Sequence, residues 1–340
     1  ITPEAVENAL RVLLALGGST NAIIHLTAIA GRMGIEVPLQ RLNALSDDTP
    51  VLVDLKPTGQ HYMEDFFAGG GVGAVLRELA PKLNLDCVGV TGETLGARIE
   101  AERDAYVNRD VIKSADHPIE PVGGLIALFG SLAPRGAILK RSAADKSLFE
   151  REGRAVVFSS LEDLSERVDD PDLDVAPDDI LVLQNAGPTS DSGMPEAGYL
   201  PIPTKLGRSG VKDMIRISDA RMSGTAFGTI VLHVTPEAAQ GGPLALVRTG
   251  DRIRLSVRDK RLDLMVEESE LARRRNGAPQ RRVADGPKRG YAKLYRDTVL
   301  QADQGCDFDF LRAENFLGAA ESLKPAAART RSTGDKESVR

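Results

Sequence analysis

Tryptophan is absent from this 340-residue sequence, and only four histidines and two cysteines are present. The cysteines, Cys87 and Cys306, stand far apart, with no Cys-x-x-Cys and no Cys/His spacing. That excludes a zinc motif and a complete iron–sulfur ligand set, and it predicts two free thiols in a reducing compartment. His61, His117 and His233 show no ligand-like spacing, and His25 falls in an apolar helical pattern that predicts a core histidine. No apolar run approaches the ~20 residues that span a bilayer. The opening Ile1-Thr2-Pro3-Glu4-Ala5 has neither the basic flank nor the apolar stretch of a secretory signal, and no initiator methionine. We expect a cytoplasmic protein, and a chain that starts inside a longer one or is a processed or partial form. A net charge of −6 gives no reason to expect nucleic-acid binding. The basic run from Arg273-Arg274-Arg275 to Lys288-Arg289 has no interleaved aromatics, so it reads as a solvated linker.

What is present is ordinary for a globular protein: 42% hydrophobic and 27% charged residues, with room for two cores. Helical spacing of Val6, Leu10, Leu13 and Leu14 ends at Gly17-Gly18, and Ser19 is placed to cap a second helix running to Gly34. Short helices are expected over 38–45, 61–68, 72–80 and 93–101, with a buried strand at 51–55. Gly69-Gly70-Gly71 reads as a tight helix entry, with anion binding as the sharper alternative. After Pro118–Pro121 strands dominate, at 125–129, 137–140, 155–158, 180–183, 230–234, 252–257 and 262–266. Helices are expected near 161–168 and 268–275, and an amphipathic one at 291–302. The fold class is therefore α/β. Residues 1–120 form an α/β part, 121–276 a β-rich barrel or sandwich, 277–322 a linker and helical arm, and 323–340 a disordered tail.

The most informative stretch is Ser218-Asp219-Ala220-Arg221-Met222-Ser223-Gly224-Thr225-Ala226-Phe227-Gly228-Thr229, which leads into the apolar Ile230-Val231-Leu232. Two hydroxyls among glycines make a poor core and a good way to present a serine to a ligand. Ser223 is the candidate base, with a turn-capping hydroxyl as the alternative. Thr225 is placed to orient it or to bind a carboxylate. Arg221 suits a substrate carboxylate or an ion pair with Asp219 or another loop acid. In Gly187-Pro188-Thr189-Ser190-Asp191-Ser192-Gly193-Met194-Pro195-Glu196, the carboxylate of Glu196 suits a hard cation such as magnesium, or is simply solvated. Ser19, Thr20 and Asn21 either line a ligand or cap a helix.

These runs, with the Gly17-Gly18-Ser19-Thr20-Asn21 turn, resemble the signatures of the dihydroxy-acid and sugar-acid dehydratases, the iron–sulfur hydro-lyase family. The resemblance covers most of residues 1–315. It implies the C-terminal part of an α/β/α domain followed by a swivelling β/β/α barrel. It implies that Ser223, as an alkoxide beside a metal ion, removes the C2 proton of a 2,3-dihydroxy acid. A 2Fe–2S cluster assists departure of the C3 hydroxyl, and the product is a 2-keto-3-deoxy acid. Glu196 becomes a magnesium ligand, and Thr225, Arg221, Ser19 and Thr20 become substrate-binding residues.

The family holds its cluster with cysteines ahead of the Gly-Gly-Ser-Thr-Asn turn, and it draws further magnesium ligands, a carbamylated lysine among them, from the same region. Cys87 and Cys306 match no cluster position, so no iron–sulfur ligand is expected in this chain. The 340 residues are expected to be inactive alone. Arg289-Gly290-Tyr291-Ala292-Lys293-Leu294-Tyr295 through Gly305-Cys306-Asp307-Phe308-Asp309-Phe310-Leu311 resembles the sugar-acid branch, such as the arabinonate dehydratases. The alternatives are a dihydroxy-acid dehydratase of branched-chain amino-acid synthesis and a catalytically dead interaction module. The resemblance also implies a homodimer or tetramer, with no nucleic-acid or membrane partner.

Overall fold

Thr2 opens the first helix: its hydroxyl accepts from the Ala5 N–H at 3.2 Å, and Pro3 follows in the first turn, where no amide partner is needed. The computed structural model describes residues 1–224, 226–277 and 286–313. Helix α1 (Pro3–Ala15) is followed by α2 (Asn21–Gly31) and α3 (Leu39–Asp47). The predicted face of α1, with Val6, Leu10, Leu13 and Leu14, is buried against Ile23, Leu42 and Leu45 and against Leu125, Ala127 and Ile138 of the sheet. Three further helices, α4 (Met63–Ala68), α5 (Gly71–Leu79) and α6 (Leu95–Ala101), close a smaller core around Leu52, Val53, Val111 and Ile112. Gly70 enters α5 at φ 113°, which makes the glycine run a helix entry. Among the described residues no helix is long and apolar enough to cross a membrane.

Among the described residues the remainder is built on eight strands: β1 (Ile126–Leu128), β2 (Gly136–Leu139), β3 (Glu150–Phe158), β4 (Ile180–Leu183), β5 (Arg216–Ser218), β6 (Ile230–Thr235), β7 (Arg252–Ser256) and β8 (Arg261–Leu264). They pair in the order β1-β2-β6-β5-β4-β3-β7-β8. The β3–β4, β4–β5 and β5–β6 pairs are parallel and the others antiparallel. A bridge from Phe129 to Arg261 joins the first strand to the last, so the sheet is a nearly closed ring. Its interior holds Ile126, Leu139, Val182, Ile217, Val231, Ile253 and Leu262. Outside it lie α1–α3 on one side and, on another, α7 (Leu161–Arg167) and α8 (Thr204–Arg208). The α/β class is as expected, and the β-rich part is barrel-like.

After α9 (Glu268–Gly277), helix α10 (Gly290–Thr298) begins an arm. Arg135 grips Asp303 at 2.7 and 2.8 Å, and Arg32 grips Asp307 at 2.6 and 2.7 Å, so the arm is tied to both the ring and α2.

Several expectations give way. Residues 51–55 form no ladder; Val51, Val53 and Leu55 make isolated bridges to Glu120, Ile112 and His61. His25 is exposed on the outer face of α2, because Ile23, Ile24 and Thr27 take the buried side. Ser19 does not cap α2 as its N-cap residue; Thr20 holds that place with helical φ −58°, while the Ser19 hydroxyl accepts from the Asn21 N–H at 3.2 Å. Arg273–Arg275 belong to α9 rather than to a linker, and Arg274 is nearly buried on Asp251 and Glu270. The predicted helix 291–302 stops at Thr298 because Val299 turns extended and bridges Phe308. The predicted tail lies outside the described residues.

Candidate active site

Two loops leave the same end of the sheet, one after β4 and one after β5, and each is fixed by buried carboxylates. Asp219 accepts from the N–H of Ala186 at 2.9 Å and of Ala238 at 2.8 Å, tying the root of the Ser223 loop to the root of the Glu196 loop. Burial pushes the Asp219 carboxyl up to about 7, against the pull of these amides. The far end of the Ser223 loop is held by Asp213, which accepts from the Thr229 N–H (2.8 Å) and hydroxyl (2.7 Å) and pairs with the buried Arg216 at 2.7 Å. Gly228, at φ 121°, lies against that guanidinium; a Cβ there would come within 1.9 Å of Arg216 Nη2. Glycine is required at this position for both reasons.

The Glu196 loop turns on itself through Met194 N–H to Gly187 O (3.0 Å) and Ser190 Oγ to Gly187 O (2.6 Å). Glu237, fully buried, accepts from the Thr189 N–H at 3.0 Å, its hydroxyl at 2.7 Å and the Gln301 amide at 2.5 Å, so the arm also reaches this loop. Glu237→Ala would strand those donors, and we expect a loss of about 1–3 kcal/mol. Urea unfolding checks it, and an unchanged midpoint would show that these bonds do not hold the loop.

The loops then meet. Ala197 and Met222 form an antiparallel bridge, with the Gly198 N–H donating to Arg221 O at 2.8 Å. In that register the residues flanking the bridge are opposed, so Glu196 stands across from Ser223. Arg221 donates through Nε to Met194 O at 2.9 Å, and Nη1 lies 3.7 Å from Glu196 Oε1. Its acid partner is thus Glu196 and not Asp219. From the helical side, the Asn21 amide donates to Glu196 Oε1 at 2.7 Å. The Ser19 side chain lies so close to Gly224 that a Cβ there would be 3.4 Å away. The Thr20 hydroxyl and Asn21 Oδ1 are buried with no hydrogen-bond partner among the described residues. Ser19, Thr20, Glu196, Arg221 and Ser223 are therefore brought to one junction, while Thr225 lies outside the described residues.

Behind the junction sits His233, an element that sequence reasoning missed. The β2–β6 register slips between Gly136 and Ile138, and His233, at φ 57°, bulges so that its N–H donates to Ala220 O at 3.1 Å. Burial, and secondarily the charge of Arg221, push its imidazole down to about 3. The signal in the sequence is slight: a lone histidine inside an apolar strand.

A cluster or a metal asks for several ligands. Among the described residues no group of three or more His, Cys, Asp or Glu is arranged to hold one. Cys306 Sγ lies 3.3 Å from Met194 Sδ, and burial pushes its thiol up to about 12, whereas Cys87 lines a groove beside α1. These cysteines do not fit a 2Fe–2S cluster, and Glu196 alone does not make a magnesium site.

Residues 110–306 match the C-terminal part, and residues 1–98 the N-terminal part, of the dihydroxy-acid/6-phosphogluconate dehydratases, and the chain belongs to that family. It is 49% identical over 319 residues to the L-arabonate dehydratase of Azospirillum brasilense, covering 92% of this chain and 54% of that protein. It is 48% identical over 317 residues to the 6-deoxy-6-sulfo-D-gluconate dehydratase of Pseudomonas putida, with the same coverage. To the dihydroxy-acid dehydratase of Caldicellulosiruptor bescii it is 42% identical over 308 residues, 90% of this chain and 54% of that protein. The chain spans about half the length of these curated relatives.

Proposed function

We propose that this chain supplies the proton-handling part of a hydro-lyase that converts a 2,3-dihydroxy acid, a sugar acid, into a 2-keto-3-deoxy acid. The observation that carries the reading is the antiparallel register setting Ser223 opposite Glu196, with Asn21 clasping that carboxylate. Ser223 Oγ takes the proton from C2. The C2–H electron pair becomes the C2–C3 double bond as the C3 hydroxyl departs, and proton and hydroxide leave together as water. The enol then takes a solvent proton at C3 and becomes the keto acid. A serine hydroxyl is too weak an acid to be ionised at neutral pH, so the base needs a cation beside it, and Glu196 is the carboxylate this chain would offer. The family's 2Fe–2S cluster and magnesium are proposed for the whole protein, and no step is assigned to them here.

The sugar-acid preference is supported by the arabonate and sulfogluconate relatives at 48–49% identity, against 42% for the dihydroxy-acid dehydratase. The same proposal takes the ring as the family's swivelling barrel, the helical part as the C-terminal portion of an α/β/α domain, and the protein as a cytoplasmic homodimer or tetramer. Residues 1–340 alone would lack activity. The test is to incubate the whole protein with L-arabonate in deuterium oxide. A 2-keto-3-deoxy acid carrying one deuterium at C3 is expected. No keto acid from either L-arabonate or 2,3-dihydroxyisovalerate would sink the reading. Faster turnover of the second acid would move the substrate to the branched-chain precursor.

A further inference from the structure

Lys140 is 3% exposed, yet among the described residues its ammonium has no hydrogen bond and no ion pair. The side chain is buried while its nitrogen is not among the atoms wholly shut off from solvent, and an amine so placed either gives up its proton or meets an anion. Its position is set by the strand it directly follows, β2. Ile138 packs with α1 and α2 and Leu139 with the ring interior, so strand alternation puts Lys140 on the helix-covered face. The β2–β6 register pairs Ile138 with Leu232 and Leu139 with Val231, so Lys140 comes next to Ile230. Ile230 and Leu232 share a small apolar patch with Met222 and Ala226, the underside of the Ser223 loop. From the other side comes the Gly17–Asn21 turn: a Cβ at Gly17 would lie 3.2 Å from the hydroxyl of Ser142, two residues after Lys140.

The Gly17–Asn21 turn and the segment after Lys140 both carry unsatisfied polar atoms. Thr20 Oγ1, Asn21 Oδ1 and Ser142 Oγ are all buried with no partner among the described residues. Of the other cations near the loops, Arg221 is committed to Met194 O and Glu196, Arg216 to Asp213 and the carbonyls of Tyr199 and Leu200, and Arg296 to Asp191. We propose that Lys140 is the cation that receives the substrate's carboxylate, with the Thr20 hydroxyl donating to the same anion. This deepens the hydro-lyase reading and rests on it for the identity of the acid. The burial that pushes the Lys140 amine down is relieved when a carboxylate arrives, because an opposite charge favours the ammonium.

The experiment compares the whole protein with Lys140→Met by calorimetric binding of L-arabonate and of its neutral amide. The wild type should prefer the carboxylate, and Lys140→Met should lose that preference with affinity for L-arabonate down on the order of 100-fold, as expected for truncating one side of a buried charge pair. Affinity for the amide should stay nearly constant, and the melting temperature should hold or rise, since a thioether replaces a desolvated amine. Absence of a carboxylate preference in the wild type, or the same preference in both proteins, overturns the inference, as does a lower melting temperature with the preference intact. Lys140-dependent carboxylate binding without any dehydration would instead sink the hydro-lyase reading and leave the anion site standing.

Discussion

Replacing Ser223 by alanine in the whole protein is expected to lower turnover of L-arabonate by roughly 10²–10⁴-fold, the usual cost of removing a general base. The substitution deletes one oxygen from a loop that is anchored at both ends by other groups. Asp219 holds the root of the loop through the amides of Ala186 and Ala238, and Asp213 holds its end through Thr229. The Ala197–Met222 bridge is made by backbone and survives. KM should therefore change little while kcat falls, the pattern of a group that acts in the transition state. Thermal unfolding should match the wild type. Turnover within a fewfold of wild type, with folding confirmed, would reduce Ser223 to a turn residue.

The second large effect is on stability in acid, and it comes from His233. Its imidazole titrates near 6.5 in the unfolded chain and is pushed down to about 3 by burial in the fold, with Arg221 adding to the effect. Between those values the unfolded chain binds a proton that the folded chain refuses. The penalty is therefore absent above pH 6.5 and grows as pH falls, at about 1.4 kcal/mol per pH unit. It reaches ~2 kcal/mol near pH 5 and approaches ~5 kcal/mol at the full span. His233→Asn is the comparison, because asparagine tolerates the left-handed backbone of this bulge. The variant should be less stable near pH 7, from lost packing, and between pH 6.5 and 4 its slope should differ from that of the wild type by the His233 contribution; Asp219, whose raised carboxyl favours the fold in acid, acts with the opposite sign and is common to both proteins. Denaturant midpoints across that range measure it, and parallel slopes in the two proteins would mean that His233 takes up its proton without opening the fold.

Much of the fold was readable because its elements obey simple patterns. Ile180–Leu183 is four apolar residues in a row between turns, and it is a strand with those bounds. The face of α1 follows from a spacing of three and four. The reading faltered where tertiary contacts decide. Strand β5 carries the buried Arg216, whose charge is offset by Asp213 and by carbonyls of Tyr199 and Leu200, none of which a local window sees. His25 looked apolar-faced because every neighbour is apolar, yet only part of that stretch meets a core. At the site, the hydroxyl-and-glycine runs were visible as motifs. Their meeting depends on the Ala197–Met222 bridge and on Asn21 reaching across to Glu196, contacts between distant parts of the chain. Lys140 read as the end of a strand because nothing in Ala137–Lys140 indicates what lies above its last side chain.

The bridge between Phe129 and Arg261 has a consequence for how the chain acquires its structure. Strands β1 and β2 leave the ribosome before the rest of the ring, but β2 finds its other neighbour only when β6 has been made, and the ring is joined only once residue 261 is available. The helical layer rests on one wall of that ring, so it has no complete support in the interval. Pairings so distant along the chain make for slow closure, with exposed strand edges during synthesis. A protein with this order of strands should depend on chaperones while it is being made far more than its finished form suggests.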